Sequence, residues 1–237
     1  MFTSSARYYD SIYSAAGKDY ETEAERLRNL IEQHKRSIGD TLLDVACGTG
    51  GHLVFLKDHF QVEGLDLDPA MLEIAREKLP QVPLHRADMV DFSLAREFDV
   101  VVCLFSSIGY AGTVEKMKHA VMNMANHACP GGLIIVEPWL YPDDFRDGTV
   151  HAAFVDTSDT KIARMNVSKV ENNVSILDFH YLVATEAGVE YFVERHDLAL
   201  FSHEEYLSAF QAAELEVIHD QEGLGGRGLY IGVRPRE

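Results

Sequence analysis

The chain has 237 residues, 46% of them hydrophobic, with 21 Lys and Arg against 38 Asp and Glu and a formal net charge of −17. That is enough apolar material for one large α/β domain or a domain carrying an insertion, and an acidic balance without any basic stripe argues against nucleic acid as the main partner. No segment approaches the roughly 18 apolar residues of a membrane span, the start MFTSSARYYDSIY lacks the apolar stretch of a secretory leader, and three scattered cysteines (Cys47, Cys103, Cys129) predict free thiols in a reducing cytoplasm and no metal site.

Taken in chain order, residues Tyr20 to Gln33 carry Ala24, Leu27, Leu30 and Ile31 at helical spacing, the pattern of an amphipathic helix lying on a core. Short apolar strands then alternate with helices: TLLDVAC, a helix from His52 to His59, VEGLDL, a helix PAMLEIAREKL, PLHRAD, FDVVVCLF, a helix from Val114 to Ala128, and GGLIIVEP. This order predicts a parallel sheet covered on both faces, with right-handed crossovers. After Pro138 the texture changes to period-two alternation broken by SDT, ENN and EAG, which reads as an antiparallel β insertion. Helical spacing resumes in HEEYLSAFQAAE behind Ser202 as a capping residue, and LEVIHDQE and GLYIGVRP close the chain as two last strands.

The stretch Ala46-Cys47-Gly48-Thr49-Gly50 occupies the turn after the first strand, where an open parallel sheet has its ligand crevice. Missing side chains let a ligand pack against backbone, and the helix that follows offers free N–H groups to an anionic end. The second strand ends at Asp66. Asp68 and Pro69 beyond it read as N-cap and first helical residue, which leaves Asp66 for a bidentate grip on ribose hydroxyls. An adenosine-type cofactor follows. The glycines stand at 48, 50 and 51, and position 53, where a dinucleotide fingerprint needs its third glycine, is Leu53; that spacing favours S-adenosylmethionine over a nicotinamide dinucleotide. Asp44 either organises the turn amides or meets a cationic amino-acid tail. Asp88-Met89, ending the third strand, are positioned to meet the adenine amino group and to pack on its ring.

DVACGTG, GLDLDPAMLEIA and ADMVDF, followed by FSSIGY and PGGLIIVEPW, resemble a class I S-adenosylmethionine-dependent methyltransferase, and more narrowly the bacterial dTDP-3-amino-deoxyhexose N,N-dimethyltransferases of the desosamine and mycaminose type. FSSIGY (Phe105 to Tyr110), VEPW (Val136 to Trp139), FHYLVA (Phe179 to Ala184) and GRGLYIGV (Gly226 to Val233) carry the narrower likeness, which spans nearly the whole chain. The resemblance implies a Rossmann-like α/β fold with a mostly parallel sheet, its last strand antiparallel, and an antiparallel β insertion after strand five. Residues 1–138 and 200–237 would form the cofactor domain, and 139–199 a roof over the substrate that helps form a homodimer. It further implies that Tyr20, Ala46, Gly48, Asp66, Leu67, Asp88, Met89 and Leu104 surround the cofactor and that Tyr13, Tyr110, His180 and Arg227 face the substrate. The planar fork of Arg227 suits the diphosphate of a nucleotide-linked amino sugar. Ala16 stands where such proteins often carry a basic residue.

The chemistry expected is in-line attack of a neutral amine on the sulfonium methyl, driven by alignment of the two reactants. Tyr13, Tyr110 or His180 is the candidate to accept the amine proton, directly or through water. Histidine has the better pKa and Tyr110 the better position at the end of the fourth strand. Two other readings stay open from sequence: methylation of a different small metabolite, and a module that binds S-adenosylmethionine without transferring its methyl.

Overall fold

A computed structural model of the chain describes residues 4–236. The hydrophobic runs become a seven-stranded sheet in the order β3-β2-β1-β4-β5-β11-β10, built from β1 (Thr41–Val45), β2 (Gln61–Asp66), β3 (Leu84–Arg86), β4 (Phe98–Cys103), β5 (Ala128–Val136), β10 (Glu216–Asp220) and β11 (Leu229–Val233). The first five pair in parallel. The last strand, β11, runs antiparallel to both β5 and β10, as the resemblance implies.

Alternate residues of these strands feed two apolar layers because successive side chains leave opposite faces. On one face Leu43, Val45, Val101 and Ile134 meet Met117, Val121 and Met124 of α5 (Val114–Asn126) and Tyr206 and Phe210 of α6 (His203–Ala212). On the other, Leu42, Val100, Val102 and Ile135 meet Leu27 and Ile31 of α2 (Tyr20–His34), Leu53 of the short α3 (Leu53–Leu56) and Leu72 of α4 (Pro69–Lys78). The predicted caps form: Asp68 accepts from the Ala70 amide with Pro69 as first helical residue, and Ser202 and Glu205 close a reciprocal capping box.

Three local expectations change. The helix from His52 to His59 contracts to Leu53–Leu56, with Lys57 to His59 continuing as turns. The third strand is confined to Leu84–Arg86, an edge strand paired with β2. A helix not anticipated, α1 (Tyr9–Ala15), follows a 3-10 turn at Ala6–Tyr8; no side chain caps its start, so the usual sequence signal is missing.

After β5 the chain builds a second sheet, β6-β7-β8-β9, antiparallel throughout, from β6 (Val150–Asp156), β7 (Thr160–Glu171), β8 (Val174–Thr185) and β9 (Gly188–Ala199). The N-terminal segment ties the two sheets together. Ser5 Oγ and the Ser4 amide donate to Glu194 on β9, while Asp10 on α1 accepts from Thr49 Oγ1 (2.6 Å) and Lys78 Nζ (2.8 Å) beside the glycine turn. Among the described residues no helix is long and apolar enough to cross a membrane.

Candidate active site

The glycine turn after β1 is left-handed at a residue that has a Cβ: φ is +60° at Ala46 and +56° at Gly48. Such backbone costs a non-glycine residue about 1 kcal/mol or more and needs external support. The support comes from the neighbouring strand. The Cys47 amide donates to Leu65 O (2.9 Å), and the Asp66 carboxylate accepts from the Gly48 amide (2.7 Å) and from the Asp68 amide (2.8 Å). Asp66 therefore organises this turn, a role the sequence reading offered to Asp44. Asp44 sits buried behind it, its carboxyl raised well above the ordinary value by burial and then by the nearby charge of Asp66. A Cβ built on Gly48 meets nothing within 4 Å, so the space over the turn is open.

That space belongs to a cavity of about 650 Å³ between the two sheets. Six of the eight residues expected around the cofactor line it: Ala46, Gly48, Asp66, Leu67, Asp88 and Met89. Tyr20 and Leu104 do not. Tyr20 packs behind the turn against Gly51 and the His52 ring, and Leu104 is buried in the core layer below. The lining fits S-adenosylmethionine: a bare backbone cradle at Gly48, carboxylates at the ends of β2 and just after β3, and apolar surface from Leu67 and Met89 between them. Burial raises the Asp66 carboxyl even though backbone amides act against that shift, and each of its oxygens retains lone-pair capacity beyond its one amide.

A second left-handed turn follows β4, at Phe105 (φ +51°) and Ser106 (φ +64°). It too is braced from the adjacent strand. Glu137, completely buried just after β5, accepts from the Phe105 amide (2.7 Å) and from Arg227 Nη2 (2.8 Å), and Ser106 Oγ donates to Pro138 O (2.8 Å). Lys18 lies over the Phe105 ring at 3.7 Å, held by Glu23 at 2.6 Å. Arg227 thus reaches the cavity as half of an ion pair with Glu137, with its Nε buried and without a partner.

The second sheet roofs the cavity. Its inner face presents Arg164, Asn166 and Ser168 on β7, Leu177 and Phe179 on β8, and His196 and Leu198 on β9. The Arg164 side chain makes no hydrogen bond or ion pair among the described residues; its guanidinium stacks on Tyr13 (5.0 Å) and Phe179 (4.6 Å), and its Nη1 is buried without a hydrogen-bond partner. Asn166, 5% exposed, likewise has an unpartnered Nδ2. Buried donors left unmatched by the fold cost about 1–3 kcal/mol each, the signature of a surface built to be completed by something else.

Of the substrate-side candidates, Tyr13, Tyr110 and Arg227 line this cavity and His180 does not. Leu177, Phe179, Tyr181 and Val183 fill the covered face of β8, so the period of two turns His180 outward, where Nδ1 bonds the Tyr191 hydroxyl at 2.6 Å. Two histidines do line the cavity, His151 on β6 and His196 on β9, and His196, one strand over from His180, is bonded through Nδ1 to the Tyr110 hydroxyl at 2.8 Å. Burial, aided by the Arg164 charge, pushes its pKa down to about 3, so the ring is neutral at ordinary pH. Tyr110 keeps 40% of its surface accessible through the cavity, yet burial around its hydroxyl raises that group well above the usual phenol value. Neither is placed to act as a base near neutrality.

Comparisons with known proteins agree with this geometry. Residues 42–132 match the family model described as a methyltransferase domain. Over 230 residues the chain is 43% identical to the dTDP-3-amino-3,4,6-trideoxy-alpha-D-glucopyranose N,N-dimethyltransferase of Streptomyces venezuelae, covering 96% of this chain and 97% of that one. It is 42% identical to the dTDP-3-amino-3,6-dideoxy-alpha-D-glucopyranose N,N-dimethyltransferase of Streptomyces fradiae, over 96% of this chain and 90% of that one. The crystal structure of Streptomyces venezuelae DesVI superposes with a TM-score of 0.91 at 42% identity and 96% coverage of both chains. CalS10 with bound S-adenosylmethionine, an amino pentose methyltransferase from Micromonospora echinaspora, gives 0.87 at 39% identity, also with 96% of both chains covered.

Removing the brace at the second turn should be costly. Glu137→Ala strands both the Phe105 amide and the Arg227 guanidinium and is expected to lower unfolding free energy by about 3 kcal/mol, the lower end for breaking a buried pair. Urea denaturation measures it, and a loss under 1 kcal/mol would contradict the bracing role assigned to this carboxylate.

Proposed function

The chain belongs to the family of S-adenosylmethionine-dependent N,N-dimethyltransferases of dTDP-linked amino sugars, and from that premise we propose that it dimethylates the amine of a dTDP-linked 3-amino deoxysugar. The observation that carries this reading is one continuous cavity whose floor is the braced glycine turn and whose roof holds unmatched donors. S-adenosylmethionine, when bound, supplies an electrophilic methyl on a sulfonium. Ala46, Gly48, Asp66, Leu67, Asp88 and Met89 hold it, with Asp66 on the ribose hydroxyls and Asp88 on the adenine amino group; Tyr20 supports the turn from behind.

The nucleotide-linked sugar lies under the roof. Arg164, Asn166 and Arg227 take the diphosphate, because two guanidiniums and an amide with unspent donor atoms suit an anion of that shape. Tyr13 and Tyr110 flank the sugar amine. Catalysis is by alignment, which is worth roughly 7–11 kcal/mol when nucleophile and electrophile are held in line, so a strong base is not required.

The outer face of the roof supports a homodimer. Phe154, Met165, Leu182, Tyr191 and Val193 are all exposed there on adjacent strands, a contiguous apolar surface of the kind that a monomer rarely leaves in water. Three free cysteines are in keeping with a cytoplasmic location.

Incubating the pure chain with S-adenosylmethionine and a panel of dTDP-amino sugars should yield dimethyl products by mass; transfer to none of them overturns the assignment. Asp66→Ala is expected to weaken cofactor binding by about 100-fold in calorimetry, since it removes both the ribose contact and the Gly48 brace. Arg164→Ala should raise the sugar-nucleotide KM about tenfold or more with a smaller change in kcat. Arg227→Ala, already spent in part on Glu137, should raise it less. An unchanged KM for Arg164→Ala would take the diphosphate away from the roof. For the assembly, Leu182→Glu with Val193→Lys should convert a dimer to a monomer in sedimentation velocity, and a wild-type chain that sediments as a monomer refutes the interface.

A further inference from the structure

His196 belongs to no motif, yet it is 1% exposed and faces the cavity from β9. Its ring is fixed from two sides, tilted on Phe179 with centroids 5.3 Å apart and edge-on to Tyr110 at 6.0 Å. Tyr110 is carried by the 3-10 turn Ser107–Ala111 that follows the strained Phe105–Ser106 bend. The 2.8 Å bond between Tyr110 and Nδ1 therefore joins two rigid elements, one from each sheet. Direction matters in this bond. The phenol is protonated and the imidazole neutral, and of the two hydrogens on offer the phenolic one is much the more acidic. Tyr110 donates, Nδ1 accepts, and the imidazole carries its hydrogen on Nε2. Tyr110 lines the cavity, and with its hydrogen given to Nδ1 its oxygen can only accept there.

Resting on the N-methyltransferase reading above, we infer that His196 is a positioning residue: it holds the Tyr110 hydroxyl proton, so that Tyr110 meets the substrate amine only as a hydrogen-bond acceptor. A free phenol beside an amine would instead donate to the nitrogen lone pair and mask the electrons that must attack. With the proton held by His196, the amine offers an N–H to Tyr110 and its lone pair stays directed at the methyl. As the N–C bond forms, the C–S bond breaks, its electron pair stays on sulfur, and the surplus ammonium proton leaves to water. The once-methylated amine still has an N–H and is held again. The neutral dimethyl amine has none, so the same contact that admits two transfers releases the product.

The full chain carrying Tyr110→Phe, His196→Phe, His196→Gln or both Phe substitutions tests this. His196→Phe frees the phenol and should lower kcat by about 10- to 100-fold with little change in KM, more than Tyr110→Phe alone. Adding Tyr110→Phe to His196→Phe should raise kcat back to the Tyr110→Phe level, because the interfering hydroxyl is gone. His196→Gln, whose amide oxygen also accepts, should retain most activity. Sugar-nucleotide dissociation constants, measured without cofactor, should be similar in all variants. Losses that multiply in the double variant, or a His196→Phe enzyme as fast as wild type, overturn the inference. A wild-type chain inactive on every amino sugar would instead overturn the functional reading. The pair is then judged alone by the tyrosine Fermi doublet in the Raman difference between wild type and Tyr110→Phe: a donor phenol supports it, an acceptor phenol refutes it.

Discussion

Two carboxylates hold the working end of the sheet in shape. Asp66, ending β2, braces the left-handed turn after its neighbour β1, and Glu137, just past β5, braces the left-handed turn after its neighbour β4. The arrangement is the same both times: strained backbone at the carboxyl end of one strand is satisfied by an acid from the end of the next. Such conformations persist only where their surroundings over-determine them, and here the surroundings are the two flanking strands. The cofactor cradle and the Tyr110 turn are consequently set by one rigid frame, the pairing of β2, β1, β4 and β5.

From this frame the division of labour between the sheets follows. The parallel sheet supplies backbone and carboxylates, groups suited to ribose, adenine and an amino-acid tail. The antiparallel roof supplies Arg164 and Asn166, whose buried Nη1 and Nδ2 have no hydrogen-bond partner among the described residues, donors suited to an anionic group. A reaction between a neutral amine and a cationic methyl donor gains most from holding two partners in line and least from proton chemistry. The site accordingly has well-placed rings and donors, with His196 held neutral by burial.

Much of the cavity floor was legible in the residues. The DVACGTG turn, Asp66 after a second strand, and Asp88-Met89 after a third all lie where strand–turn–helix logic puts them, because each is specified by neighbours only a few positions away. The substrate half was harder to read. On β7 the apolar Met165 and Val167 point outward while Arg164, Asn166 and Ser168 point in, an inversion of the usual rule. Alternation reports a period of two and is silent about which face is covered, so it does not reveal that His180 turns outward. Leu104, which the resemblance implies is near the cofactor, lies just past β4 and is buried in the core layer with Val100 and Val102.

What the sequence determined by itself is the local grammar: alternating strands and helices, the caps at Asp68 and Ser202, the glycine turn, the acid that ends the second strand, and a likeness to one enzyme family over nearly the whole chain. What only the tertiary structure decided is the pairing of groups far apart in the chain: Glu137 with Arg227, Tyr110 with His196, Asp10 with Thr49, and the roof residues that face the cavity. The reason is physical. Backbone preference and capping act over a few residues and leave a mark in the amino-acid order, whereas these contacts join residues 39 to 90 positions apart and exist only once distant segments have packed together.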